Sequence, residues 1–128
     1  MRALQRLKEM AKDHTHKRYP NLPEGAVSAP KYTDKTANGL TKCIIDYIRF
    51  SGGYATRINT TGQMRQGKWV KGTTSKGTAD IHACLIGVHY SIEVKIGKDR
   101  LSEYQKDTQR KVESAGGIYM IARNFEGF

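Results

Sequence analysis

The stretch GTADIHACLIGVHYSIEVK, residues 77–95, decides the fold. Two alternating runs, 79–85 and 88–96, flank Ile86-Gly87, which is short enough for a β-hairpin. In the first run Ile81, Ala83 and Leu85 share one face, opposite Asp80, His82 and Cys84. In the second, Val88, Tyr90, Ile92, Val94 and Ile96 share a face opposite His89, Ser91, Glu93 and Lys95. If Leu85 pairs with Val88, Asp80 stands directly across from Glu93. Opposed side chains have Cβ atoms ~4.5–5.5 Å apart. Lys95 follows on the same face, ~6.5–7 Å along the strand. A register slip of two residues keeps the three together, whereas a slip of one separates them.

Two carboxylates this close repel, and one tends to hold a proton. A divalent cation resolves the conflict, and hard oxygen ligands on neighbouring strands suit Mg²⁺ or Mn²⁺. Lys95, beside both carboxylates, is read as a cation that orients a water and stabilises charge on a phosphate in transit, not as a general base. On a basic domain such a site implies phosphodiester hydrolysis. The plainer alternative is a solvated, salt-bridged sheet face. Against it, both strands present an apolar opposite face, and a charged trio in a covered sheet is costly unless paired or metal-bound.

Working downstream, Ser102 and Gln105 form an S-x-x-Q capping box, which predicts a helix from Glu103 to Ala115 with Leu101, Tyr104, Thr108, Val112 and Ala115 on its buried side. Gly116-Gly117 ends it, and IYMIA, residues 118–122, reads as an apolar strand in parallel pairing within a covered sheet. Upstream, Leu40, Cys43, Ile44, Tyr47 and Ile48 mark one face of a helix beginning at 36 and ended by Gly52-Gly53. Residues 54–59 alternate as a strand, and 60–78 read as a loop with one short strand around Lys68–Lys71. Helix, strand, two strands, helix, strand describes an α/β class with a mixed sheet flanked by helices. Residues 1–18 form a basic helix with Leu4, Leu7 and Ala11 at helical spacing, and 19–35 hold all three prolines, Pro20, Pro23 and Pro30. The division is a basic N-terminal helix and Pro-containing linker over 1–35, read as a separate arm or a solvated extension, and a domain over 36–128.

With 128 residues, 22 basic against 12 acidic, the chain carries a net charge of +10 and fits one core. That balance points to a polyanion, nucleic acid ahead of a membrane surface. No apolar run approaches the ~18 residues of a membrane span. The first twenty residues hold no continuous apolar stretch, which argues against a secretory signal there. Two cysteines, Cys43 and Cys84, make no disulfide framework, so a reducing cytoplasm is expected. No G-x-x-x-x-G-K-[ST] loop is present, so a nucleotide-driven motor is not expected. Cys43, Cys84, His82 and His89 lack zinc-site spacing and read as core and as polar neighbours of the site.

The ordered set GTAD at 77–80, IEVK at 92–95, LSEYQ at 101–105 and ESAGGIYMIAR at 113–123 resembles the PD-(D/E)XK nuclease superfamily, specifically its VRR-NUC (virus-type replication-repair nuclease) branch, over roughly residues 36–128. The resemblance implies a restriction-endonuclease-like αβββαβ core and a Mg²⁺- or Mn²⁺-dependent, structure-selective DNA endonuclease, akin to Holliday-junction resolvases. It further implies a homodimer working on branched DNA, cytoplasmic and nucleoid-associated in a bacterium or encoded by a phage. By the same likeness Asp80 and Glu93 would be metal ligands with the backbone carbonyl of Val94. Lys95 would be the catalytic lysine and Gln105 a glutamine near the site, a role compatible with its capping box. The family usually places a glutamate on the first helix. This sequence has Asn38 nearby, which also reads as an N-cap, and the departure bears on a second metal. A nuclease-fold module that binds branched DNA without cutting it is the rival reading.

The expected DNA path is the basic segment before the metal strand. Arg57, Asn59, Arg65, Lys68, Lys71 and Lys76 are candidates for phosphate contacts. Trp69 either stacks on an unpaired base or anchors the loop. Lys98, Arg100, Lys106, Arg110 and Lys111 read chiefly as a solvated face.

Overall fold

Thr36, in extended conformation, accepts a hydrogen bond from Gly39 N and starts helix α2 (Ala37–Phe50). The cap is therefore Thr36 and not Asn38, which lies inside the first turn. The α2 stripe Leu40, Cys43, Ile44 and Ile48 is buried, and Gly53 N closes the helix onto Ile48 O at 2.9 Å. This helix lies on one face of a four-stranded sheet built from β1 (Tyr54–Arg57), β4 (Ile81–Leu85), β5 (Val88–Val94) and β6 (Ile118–Ala122). The computed structural model describes residues 2–28, 30–58, 63–70 and 77–128. Within them, β2 (Gln63–Arg65) and β3 (Lys68–Val70) form a separate two-stranded hairpin, and α1 (Arg2–Arg18) and α3 (Glu103–Ser114) complete the elements.

The sheet order is β1-β4-β5-β6, antiparallel except between β5 and β6. Leu85 pairs with Val88 and Ile81 with Ile92, the register expected from sequence. The two-residue turn holds Ile86 at φ 52° and Gly87 at φ 76°. Two left-handed residues match the twist of the flanking strands. A β-branched residue there is strained, and Ile86 bears that cost as a fully exposed side chain.

Ala55, Ile81, Ala83 and Ile92 meet the α2 stripe in the core. Helix α1 joins the same core. Leu4, Leu7 and Ala11 are buried, Leu7 completely, and α1 packs along α2. The expectation of a separate arm is thus corrected: an amphipathic stripe of three apolar residues found a partner on α2. The segment that follows is tied down as well. Tyr32 is buried and donates to Asp46 Oδ2 at 2.8 Å, and Asp34 Oδ2 accepts from Phe125 N at 2.9 Å.

Two further expectations change. Strand β6 pairs in parallel as predicted, but it forms an edge, with Ile118 and Ile121 exposed. Helix α3 buries none of its residues fully, and Tyr104 is 58% exposed. Its inward face runs through Gln105, Thr108 and Val112, each half-buried, and Ala115 is exposed. This face is polar because it covers the polar side of the sheet, where Asp80, His82, His89 and Glu93 stand. No described helix is long and apolar enough to cross a membrane.

Candidate active site

The polar face of the sheet gathers its ionisable groups where β4 begins and β5 ends, under the start of α3. Asp80 sits one residue before β4, fixed twice. Its carbonyl accepts from Ile58 N at 2.8 Å, and its Oδ2 accepts from Val94 N at 2.9 Å. The ladder pair Ile81–Ile92, continued by one residue, sets Asp80 beside Glu93. Asp80 opposes the ionisation of Glu93.

Glu93 is only 3% exposed. Its Oε1 accepts from Gln105 Nε2 at 2.9 Å, and Lys95 Nζ lies 3.9 Å from that same oxygen. Its Oε2 is buried without a hydrogen-bond partner. Leaving a buried acceptor unsatisfied costs roughly 1–3 kcal/mol, and more for a charged one. Burial foremost, then the neighbouring Asp80 carboxyl, push the Glu93 carboxyl up to about 8, while Lys95 pulls it down. Metal-free Glu93 is therefore largely protonated at neutral pH, one way of relieving a crowded acidic pair.

Gln105 performs both roles that its position allows. Its Oε1 accepts from Ser102 N at 2.8 Å, while Ser102 Oγ accepts from Gln105 N at 3.2 Å. Because the cap takes the amide oxygen, the amide nitrogen is the end that faces Glu93. The capping box thus fixes the donor given to the carboxylate. Gly77 lets α3 approach: at φ +83°, a Cβ there would lie 2.3 Å from Tyr104 O.

The remaining candidates divide. Arg57 donates through Nη2 to Asn38 Oδ1 at 2.9 Å, so the first helix offers an amide, already engaged, where the resemblance implies a glutamate. Lys68 is exposed at the start of β3. The expectations for Asn59, Lys71 and Lys76, and for the side chains of Arg65 and Trp69, lie outside the described residues. Lys106, Arg110 and Lys111 make exposed ion pairs with Glu103 and Asp107 on α3, a solvated face as expected. Cys43 is buried against Thr33 O, and Cys84 is exposed. His82 and His89 meet edge to face at 5.3 Å, and His89 Nε2 lies 2.7 Å from Ser91 Oγ. Burial, then His89, lowers the His82 pKa.

Among the described residues no group of three or more His, Cys, Asp or Glu side chains is gathered for an ion. The acidic set is the Asp80–Glu93 pair. One residue of the cluster escaped the sequence reading. Tyr119, within the apolar run IYMIA, pairs with Ser91 and so shares the face of Glu93. Tyr119 lies in the G-x-Y strand that carries the resemblance, which assigns it no role; its place beside Glu93 depends on the parallel register, which a single strand does not display. Neither a family model nor a curated protein matches the chain.

Proposed function

We propose that this chain is a Mg²⁺- or Mn²⁺-dependent DNA endonuclease of the PD-(D/E)XK kind, selective for DNA structure and related to the VRR-NUC branch. The observation that carries the reading is the Asp80–Glu93 pair, Asp80 half-buried and Glu93 buried, with one Glu93 oxygen unpartnered and Lys95 beside it. The order α2, β1, β4, β5, α3, β6 is compatible with a restriction-endonuclease-like core. An unpaired buried carboxylate oxygen next to a second carboxylate fits a hard divalent cation. Asp80, Glu93 and the carbonyl of Val94 would hold it. Bound there, the ion would supply Lewis-acid polarisation of a phosphate and a more acidic water.

The chain's own residues set up the rest. Val94 N–H holds Asp80 in place and Gln105 holds Glu93, so neither carboxylate needs to reorganise. Lys95, with its side chain largely covered, offers its ammonium to charge that develops on the scissile phosphate. Arg57, Arg65, Lys68, Lys71 and Lys76 supply cations, and Asn59 a neutral amide donor, along the segment leading to Asp80, suited to a phosphate backbone. A homodimer would place two such sites on two strands of branched DNA, in a cytoplasmic, nucleoid-associated setting.

A second reading has one observation behind it. Asn38 gives no carboxylate and is held by Arg57, which favours a module that binds branched DNA without cutting. Cleavage of supercoiled plasmid and of a labelled four-way junction, with each metal, separates the two. The proposal expects cleavage, reduced about 100-fold or more in Lys95→Ala. Undiminished cleavage by Lys95→Ala contradicts the mechanism. Junction binding with no cleavage by either protein supports the second reading.

A further inference from the structure

Among the described residues, the buried side-chain polar atoms without a hydrogen-bond partner are Glu93 Oε2 and the Tyr119 hydroxyl. They belong to one place. Tyr119 stands beside Ser91 in the β5–β6 ladder, on the same face as Glu93 two residues further along β5. Its side chain is 7% exposed, so the hydroxyl has no access to bulk water as an alternative partner. A phenol that stays protonated is a donor, and an ionised carboxylate is an acceptor with spare lone pairs. Native interiors rarely leave two such complementary groups unmatched.

We propose that Tyr119 is a positioning residue for Glu93: its hydroxyl donates to Glu93 Oε2 when the carboxylate is ionised and ligates the cation. Resting on the metal-dependent reading above, this gives each Glu93 oxygen its own donor, Gln105 on Oε1 and Tyr119 on Oε2. The carboxylate is then clamped from α3 and from β6, and its remaining lone pairs are directed toward Asp80. Outer partners of this kind typically govern metal affinity by 10–100-fold on removal.

The test is Mn²⁺ binding to the full chain, followed by electron paramagnetic resonance of free Mn²⁺, in wild type and Tyr119→Phe. Thermal melts of both metal-free proteins accompany it. The expected result is binding by wild type and about tenfold weaker binding by Tyr119→Phe. The metal-free melt should be unchanged or raised, because phenylalanine fills the same space and removes an unsatisfied hydroxyl. The Mn²⁺ concentration for half-maximal cleavage should rise by a similar factor, with the saturated rate changing less. Equal Mn²⁺ affinity in the two proteins overturns the assignment and leaves the metal site standing. A lowered metal-free melt together with weaker binding makes Tyr119 structural and also overturns it. No Mn²⁺ binding by wild type removes the metal site itself, and the role of Tyr119 with it.

Discussion

Glu93 concentrates the chemistry of this molecule. A carboxyl 3% exposed and facing a second carboxyl is in conflict when both are ionised. Its pKa is raised to about 8 from 4.5, chiefly by burial and then by Asp80. The folded chain therefore holds a proton that the unfolded chain has released. Stability from this group is complete below pH ~4.5 and is lost as pH rises toward 8. We expect the metal-free protein to lose on the order of 4 kcal/mol between pH 5 and pH 8.5 relative to Glu93→Gln, which cannot ionise there. Urea denaturation of both proteins at the two pH values measures it. A pH profile identical in both would show that Glu93 is not perturbed. His82, whose pKa is lowered, acts with the opposite sign below pH ~6.5, and the glutamine variant cancels that contribution. Much at this scale was legible in the sequence. Alternation placed Asp80, Glu93 and Lys95 on one face, and the S-x-x-Q spacing placed Gln105 at a helix start. Tyr119 was not legible, because a five-residue apolar run gives no sign of which side chain lies beside which on the neighbouring strand.

Among the elements, α3 decides whether the site is assembled. Its capping box orients the Gln105 amide, and Gly77 admits its first turn. Replacing Gly77 with alanine asks an L-residue to hold φ +83° and drives a methyl into the Tyr104 carbonyl. We expect a loss of about 1–3 kcal/mol. We also expect cleavage reduced beyond what that instability explains, because α3 must move and carry Gln105 away from Glu93. Chemical denaturation together with the cleavage rate of the folded fraction checks this. A stability loss with full activity in the folded fraction would detach α3 from the site. The strand pairing was legible through the hairpin, since a two-residue link leaves little freedom of register. The inward face of α3 was misread at both ends: Gln105 faces in where Tyr104 was expected, and Ala115 is exposed. Apolar periodicity finds the side of a helix that meets an apolar surface, whereas α3 lies over polar side chains. The β2–β3 hairpin was half seen, because its first strand lacks the apolar alternation that marks the others.

Across the whole molecule, a +10 charge surrounds a single core that includes α1. The docking of α1 on α2 was not legible, since a stripe of Leu4, Leu7 and Ala11 specifies an apolar partner without naming it. If the chain binds DNA as proposed, the charge makes that affinity largely electrostatic. It should fall steeply with salt, by roughly 10³-fold or more between 50 and 200 mM if six phosphates are neutralised. Fluorescence anisotropy with a labelled four-way junction measures the slope, and sedimentation of the same samples counts the copies bound. An affinity nearly independent of salt would assign the basic surface to another partner.

The most direct test of the account is a crystal of the full chain soaked in Mn²⁺ and measured for anomalous scattering. A manganese peak is expected within ~2.0–2.3 Å of carboxylate oxygens of both Asp80 and Glu93. A well-ordered crystal with no peak at that pair, or with manganese bound only elsewhere, would contradict it.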